Sequence, residues 1–204
     1  MAEVPGSTVG RPRNPDVDKR VKDAAVELFG ESGLPAVSIE AVARNSGVSK
    51  RSIYLRWSDK DTLLAEALTE RLRLVTDLDT GNLRDDLLAL ARQLVELYIG
   101  PFGKAALRIA FDPGLGVFIG TQEYLRESQV LAARALVHRA INRGELPASI
   151  SVTLLLDTIC GASLNHVIGT PPRMRAAIRL HVSTYTAELV EFVMRALDDD
   201  TLAK

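Results

Sequence analysis

The residues best suited to chemistry in this 204-residue chain fall in one stretch, SIEAVARNSGVSKRSIYLRW, Ser38 to Trp57. Lys50 and Arg51 stand there beside Ser49 and Ser52. An arginine fork matches the O6 and N7 of guanine, and a lysine meets guanine or phosphate. Serine hydroxyls donate to phosphate or base edges, and helix N-terminal amides favour phosphate. The chemistry is therefore non-covalent: a short cationic helix read into the major groove of duplex DNA.

That use needs a scaffold. Ser38 to about Asn45 reads as one short helix, with Ser38 as its cap and Ile39, Val42 and Ala43 inward. Ser46-Gly47-Val48 is a tight turn, and Ser49 caps a second helix to about Leu55. Two short helices around a glycine turn form a helix-turn-helix, with Val42, Ala43, Val48 and Ile53 locking the pair. The outer side of the second helix is then left to Ser49, Lys50, Arg51, Ser52, Tyr54, Leu55 and Arg56. Arg44 suits a phosphate contact or a plain surface charge.

Charge supports the reading. The chain carries a net −1, yet Arg44, Lys50, Arg51, Arg56 and Lys60 face only Asp59 between positions 44 and 60. From Asp61 onward acidic residues outnumber basic ones. Positive charge gathered in one segment points to a local nucleic-acid surface rather than general polyanion affinity.

Around this stretch the apolar period is helical throughout, with no strand alternation and no repeat. Residues 1–14 read as a flexible arm, with Arg11 and Arg13 either entering a minor groove or merely solvated. Asn14-Pro15 opens a helix to about 32, stopped near Gly33. Ser58 can cap a further helix, with Asp61 reaching back in a capping box. Thr80-Gly81-Asn82 marks a domain boundary. Helices follow at about 83–99, 103–112, 117–142, 150–169 and 173–197. The fold expected is all-α with about nine helices. A helix-turn-helix domain covers 15–75, with its core motif at 38–57, and a larger helical domain covers 82–199.

Several function classes fall away. His138, His166 and His181 lack metal-ligand spacing, so no metal or other cofactor is expected. Cys160 sits in an apolar stretch and reads as inert packing. Gly114, Gly116 and Gly120 follow no strand, so they read as a bend rather than a phosphate loop. No enzyme signature remains. Val152 to Ile168 carries Asp157, Asn165 and His166, which argues against a membrane span. One cysteine and a polar start suit a cytoplasmic protein.

The chain resembles the TetR family of one-component transcriptional regulators. Ala24-Ala25, Leu28-Phe29, Gly33, Ser38-Ile39, Ile53-Tyr54, Trp57, Lys60 and Leu63-Leu64 carry the resemblance, over roughly 15–68. It implies a DNA-binding head of three helices on a helical body that dimerises and holds a small-molecule pocket. It also implies that Tyr54 touches backbone phosphate or a thymine methyl, that Lys60 contacts phosphate, and that Trp57 is core. Arg56 and Arg51 depart from the family's usual residues and add charge to the DNA side. The expected DNA-contacting set is Ser38, Arg44, Ser49, Lys50, Arg51, Ser52, Tyr54, Arg56 and Lys60.

A single short helix is too small for a tight site, and two-fold dimers solve this by reading two half-sites of a palindromic operator. By the resemblance the last two helices form that homodimer interface, with Leu155, Ile159, Leu164, Ile178, Val182, Tyr185, Leu189 and Val193 as its stripe. The expected pocket for a small hydrophobic or amphipathic effector is lined by Leu94, Tyr98, Phe102, Leu107, Phe111, Phe118, Tyr124 and Leu125. The function expected is a sequence-specific DNA-binding regulator, a repressor released by that effector. The alternative is a ligand-independent architectural or chromosome-organising DNA-binding protein.

Overall fold

The computed structural model describes residues 15–72, 78–111 and 120–198, with only the backbone described for 120–129 and 172. Calls on the remaining positions, including the 1–14 arm with Arg11 and Arg13, the Asn14 cap, Gly114, Gly116 and Phe118, lie outside the described residues, as do the side chains of Tyr124 and Leu125. Among the described residues the fold is all-α, with nine α-helices and no strand.

The first helix, α1, spans Pro15–Ser32. Proline suits a first turn, and Asp16 and Asp18 there complement the positive end of the helix. Its apolar period buries Val21, Ala24, Ala25, Val26 and Phe29. A single 3-10 turn, Leu34–Ala36, leads to α2, Ile39–Ser46. Ser38 caps α2 by accepting from the Ala41 amide at 3.1 Å. Gly47 ends α2 at φ +67°, a left-handed conformation that a side chain would strain. Ser49 then caps α3, Lys50–Tyr54, accepting from the Ser52 amide at 3.2 Å.

The fourth helix, α4, is Lys60–Arg71. Its cap is Asp59 rather than Ser58: the Asp59 carboxylate accepts from the Asp61 and Thr62 amides at 3.0 and 2.7 Å. Ser58 instead donates to Asp59 at 2.8 Å, and Asp61 turns to Lys60. A carboxylate one residue later takes two amides at once, which a hydroxyl capping box cannot match. The Thr62 amide, then the Ser58 and Thr62 hydroxyls, hold Asp59 at a pKa of about 2.

The middle of α1 is braced to the later half of α4. Lys22 bonds to Glu70 and lies 2.7 Å from Glu66, while Arg71 donates to Asp23 at 2.6 Å. Burial lowers the affinity of Lys22 for its proton, but the Glu66 and Glu70 hydrogen bonds outweigh this and leave its pKa raised. Trp57 is buried and donates its indole N–H to Glu66 at 2.7 Å. The apolar cluster beneath includes Phe29, Ile53, Leu63, Leu64 and Leu68. Each such side chain contributes roughly 1.5–3 kcal/mol through burial.

The body comprises α5 (Leu83–Ile99), α6 (Gly103–Phe111), α7 (Gly120–Asn142), α8 (Val152–Gly169) and α9 (Arg175–Asp198). Asn82 caps α5, accepting from the Asp85 amide at 2.9 Å, and Glu145 accepts from the Leu83 amide at 2.6 Å. The second core joins α5, α7, α8 and α9 through Leu87, Leu90, Leu136, Val137, Ile159 and Val190. By length and composition α8 could cross a membrane, but it packs on α5, α7 and α9 and buries Leu155, Leu156, Ile159, Ser163 and Val167.

Head and body meet where α6 crosses α1. Ala105 and Ala106 belong to the head's core, not the body's. A β-carbon at Gly30 would stand 2.9 Å from the Ala105 backbone nitrogen, so glycine lets the two helices close.

Candidate nucleic-acid interface

Helix α3 has five residues, too few to hold itself in water. Its seat is therefore tertiary. Ile53 is fully buried, and Val48 and Trp57 flank it in the same cluster as Val21 and Val42. With Ile53 inward, the other side of α3 faces solvent. Lys50 and Arg51 are exposed, Tyr54 is 54% exposed and Leu55 is 75% exposed.

The polar groups on this side are arranged for donation. The Ser49 and Ser52 hydroxyls lie 2.9 Å apart. Ser38 is half-buried, and its oxygen already accepts the Ala41 amide, which leaves its hydrogen to donate. Arg44 is exposed in the last turn of α2. Lys60 is the first residue of α4, 3.1 Å from Asp61. Apart from Arg56, the expected set thus lies around the exposed ends of α2, α3 and α4.

Arg56 is placed differently. Its Nε donates to Asp18 of α1, and a terminal nitrogen donates to the Ser52 carbonyl at 2.8 Å. The side chain is drawn back along the head rather than projected. Glu40 was absent from the sequence reading, yet it pairs with Lys50 at 2.7 Å. The Lys50 hydrogen bond holds the Glu40 carboxyl below its ordinary pKa. Ten residues separate the two in sequence, so only the angle between α2 and α3 brings them together.

A short helix seated by apolar residues and offering serines, a lysine, an arginine and a tyrosine is a surface for duplex DNA. Residues 22–67 match the family model described as bacterial regulatory proteins, tetR family. Residues 77–184 match the tetracyclin repressor-like C-terminal domain. The chain belongs to the TetR family. It is a DNA-binding transcriptional regulator.

Known proteins similar to it agree. The HTH-type transcriptional regulator AqdR of Rhodococcus erythropolis is 31% identical over 146 residues, covering 70% of each chain. The fatty acid degradation regulator FadR of Bacillus halodurans shares the fold at TM-score 0.66 and 14% identity, over 90% of this chain and 97% of that one. The transcriptional regulator FadR of Bacillus subtilis, solved in complex with stearoyl-CoA, does so at TM-score 0.60 and 16% identity, over 86% and 97%.

In this TetR-family body the last two helices divide their apolar residues unevenly. Leu155, Ile159, Ile178, Val182 and Val193 are buried in the protomer's own core, and Leu164, Tyr185 and Leu189 are half-buried. The apolar side chains left outside are Leu154, Ile168, Leu180 and Phe192, exposed by 66, 40, 81 and 70%. The expected dimer stripe and these exposed residues thus differ. The reason is that α8 and α9 both flank α5, which occupies the broader apolar side of each.

The expected pocket residues also separate. Leu94 is buried in the body core, while Tyr98 and Phe102 are half-buried against the head's core. Burial, then the proximity of Cys160, raises the Tyr98 phenol pKa. Leu107 and Phe111 line a cleft between α1 and α6 instead. Burial, then Asp157, pushes the Cys160 thiol to about 11, so it is a poor nucleophile. Among the described residues no cluster of His, Cys, Asp or Glu could hold a metal.

Proposed function

We propose that this regulator binds a palindromic operator as a homodimer and represses until a small hydrophobic or amphipathic effector enters its body. One observation carries the DNA half: α3 turns Ile53 inward and leaves Lys50, Arg51 and Tyr54 in solvent. In this reading Arg51 and Lys50 read base edges. Ser38, Arg44, Ser49, Ser52 and Lys60 hold phosphates, and Tyr54 sets its ring on phosphate or a thymine methyl. Arg56 contributes by leaving Asp18 for a phosphate.

The exposed Leu154, Ile168, Leu180 and Phe192 on the last two helices support dimerisation, since a second copy pairing there would take them out of water. Two copies pairing through α8 and α9 form a four-helix interface, with the sequence-derived residues from Leu155 to Val193 packing behind it. The stearoyl-CoA complex of the Bacillus subtilis relative supports an amphipathic effector. Release follows from differential affinity: the effector favours a dimer whose heads no longer match neighbouring grooves.

Selection of genomic DNA fragments by the purified protein tests the reading. It should return an inverted repeat with half-sites about one helical turn apart, or a multiple of that. Scattered fragments without two-fold symmetry would overturn it and favour the architectural alternative.

A further inference from the structure

The cleft between α1 and α6 belongs neither to the DNA surface nor to the body's core. It is an open cleft of about 530 Å³ lined by Gly30, Lys104, Leu107, Arg108 and Phe111. That volume is within the usual range for small-molecule sites. Among the described lining residues two are cations and none is acidic. Lys104 is held at the rim by Glu31 at 2.5 Å.

No such ion pair is seen for Arg108 among the described residues. Its Nε is closed off from water and meets no hydrogen-bond partner. The guanidinium lies over the end of α1, where a β-carbon at Gly33 would approach it to 3.2 Å. Charged donors shut away from water are normally matched by an acceptor. Beside it, Phe111 leaves 60% of its surface exposed and Leu107 is half-buried. A guanidinium whose Nε lacks an acceptor, next to an open aromatic face, defines a ligand with two ends.

We propose that this cleft binds a small carboxylate carrying an apolar ring. The carboxylate oxygens accept from the Arg108 guanidinium, whose planar fork matches them in pairs. The ring rests on Phe111 and Leu107, and Lys104, turned from Glu31, can add a second donor to the carboxylate. Such a ligand would touch α1 of the head and α6 of the body together. Its consequence for DNA release rests on the function proposed above, but binding itself does not.

The test uses the full chain without DNA, titrated with phenylacetate and followed by the amide NMR signals of Gly30 and Gly33. Both signals should shift to saturation. Phenylacetamide, of the same shape but neutral, should bind weaker by roughly tenfold or more. Arg108→Gln should remove the phenylacetate shifts. Lys104→Gln alters a 61% exposed side chain, leaves folding intact, and should weaken binding a few-fold. Should Arg108→Gln fail to fold, the acid–amide contrast and Lys104→Gln still decide. Acid and amide binding equally, or no shift at Gly30 and Gly33, overturns the proposal. Neither result bears on operator binding, which is measured separately.

Discussion

The head and the last two helices present opposite kinds of surface. On the head, a five-residue helix shows lysine, arginine, serines and tyrosine, with Ile53 sunk beneath and Leu55 exposed at its end. On the body, helices of 18 and 24 residues show leucine, isoleucine and phenylalanine among polar neighbours. The first surface works through charge, so it weakens with salt. In the reading proposed above the second works through apolar burial, which salt does not screen. A regulator needs both: strength from the pairing of copies, and selectivity from a few polar groups held in register. The difference also separates what the two surfaces tolerate, since a charge helps one and ruins the other.

The largest expected effect breaks the apolar side. Phe192→Asp should cost about 2–4 kcal/mol per copy if Phe192 is a central anchor of the interface. Sedimentation should show monomers at concentrations where the parent chain is dimeric, and operator affinity should fall with it. An unchanged dimer would move the interface off α8 and α9. Next comes the seat of the reading helix. Ile53→Ala empties a fully buried site and should cost roughly 2–5 kcal/mol. Thermal unfolding should show that loss, while the state of association stays as it was. Loss of both together would mean that the two surfaces are not independent.

Much of the head was legible because its signals are local. Ser38, Gly47 and Ser49 act within four residues of where they stand, and the structure uses each as its type suggests. The cap of α4 was misassigned by one residue, because Ser58 and Asp59 both suit the position and only geometry chooses the stronger acceptor. Arg56 adds to the charge of its segment in sequence, but Asp18, thirty-eight residues earlier, neutralises it in space. The body was less legible for a different reason. A helical period identifies an apolar stripe without naming what covers it. For Leu155, Ile159, Ile178 and Val193 the cover is the protomer itself. Leu180 and Phe192, scattered among polar neighbours, made no stripe to find. Arg108 offered no signal, since a lone arginine in sequence shows nothing of its missing acceptor.

Two substitutions sharpen the charged side. Arg51→Ala should remove about 1–3 kcal/mol of discrimination at one base pair. Measured over a set of operator variants, it should change the ranking. Lys60→Ala should weaken all sequences alike and lower the slope of log affinity against log salt by about one. If both variants act evenly on every sequence, Arg51 is a phosphate contact and selectivity lies elsewhere on α3.

The smallest effect concerns the ionic bracing under the charged surface. Burial would raise the Glu66 carboxyl pKa, but hydrogen bonds from Lys22 and then Trp57 win and leave it below its ordinary 4.5. The folded head therefore holds that proton more weakly than the unfolded chain does. The resulting stability is fully present above the ordinary carboxylate value and is lost as pH falls through the lowered one. Glu70, lowered chiefly by Lys22, acts in the same direction. Trp57 is the single tryptophan and bonds directly to Glu66, so its emission reports on this site alone. Between roughly pH 5 and 3 the emission should change and the unfolding temperature of the head should drop. Glu66→Gln keeps an acceptor for the indole but carries no charge, so it should flatten that dependence. An unaltered pH profile in Glu66→Gln would show that the α1–α4 bracing adds nothing measurable, as exposed ion pairs often do.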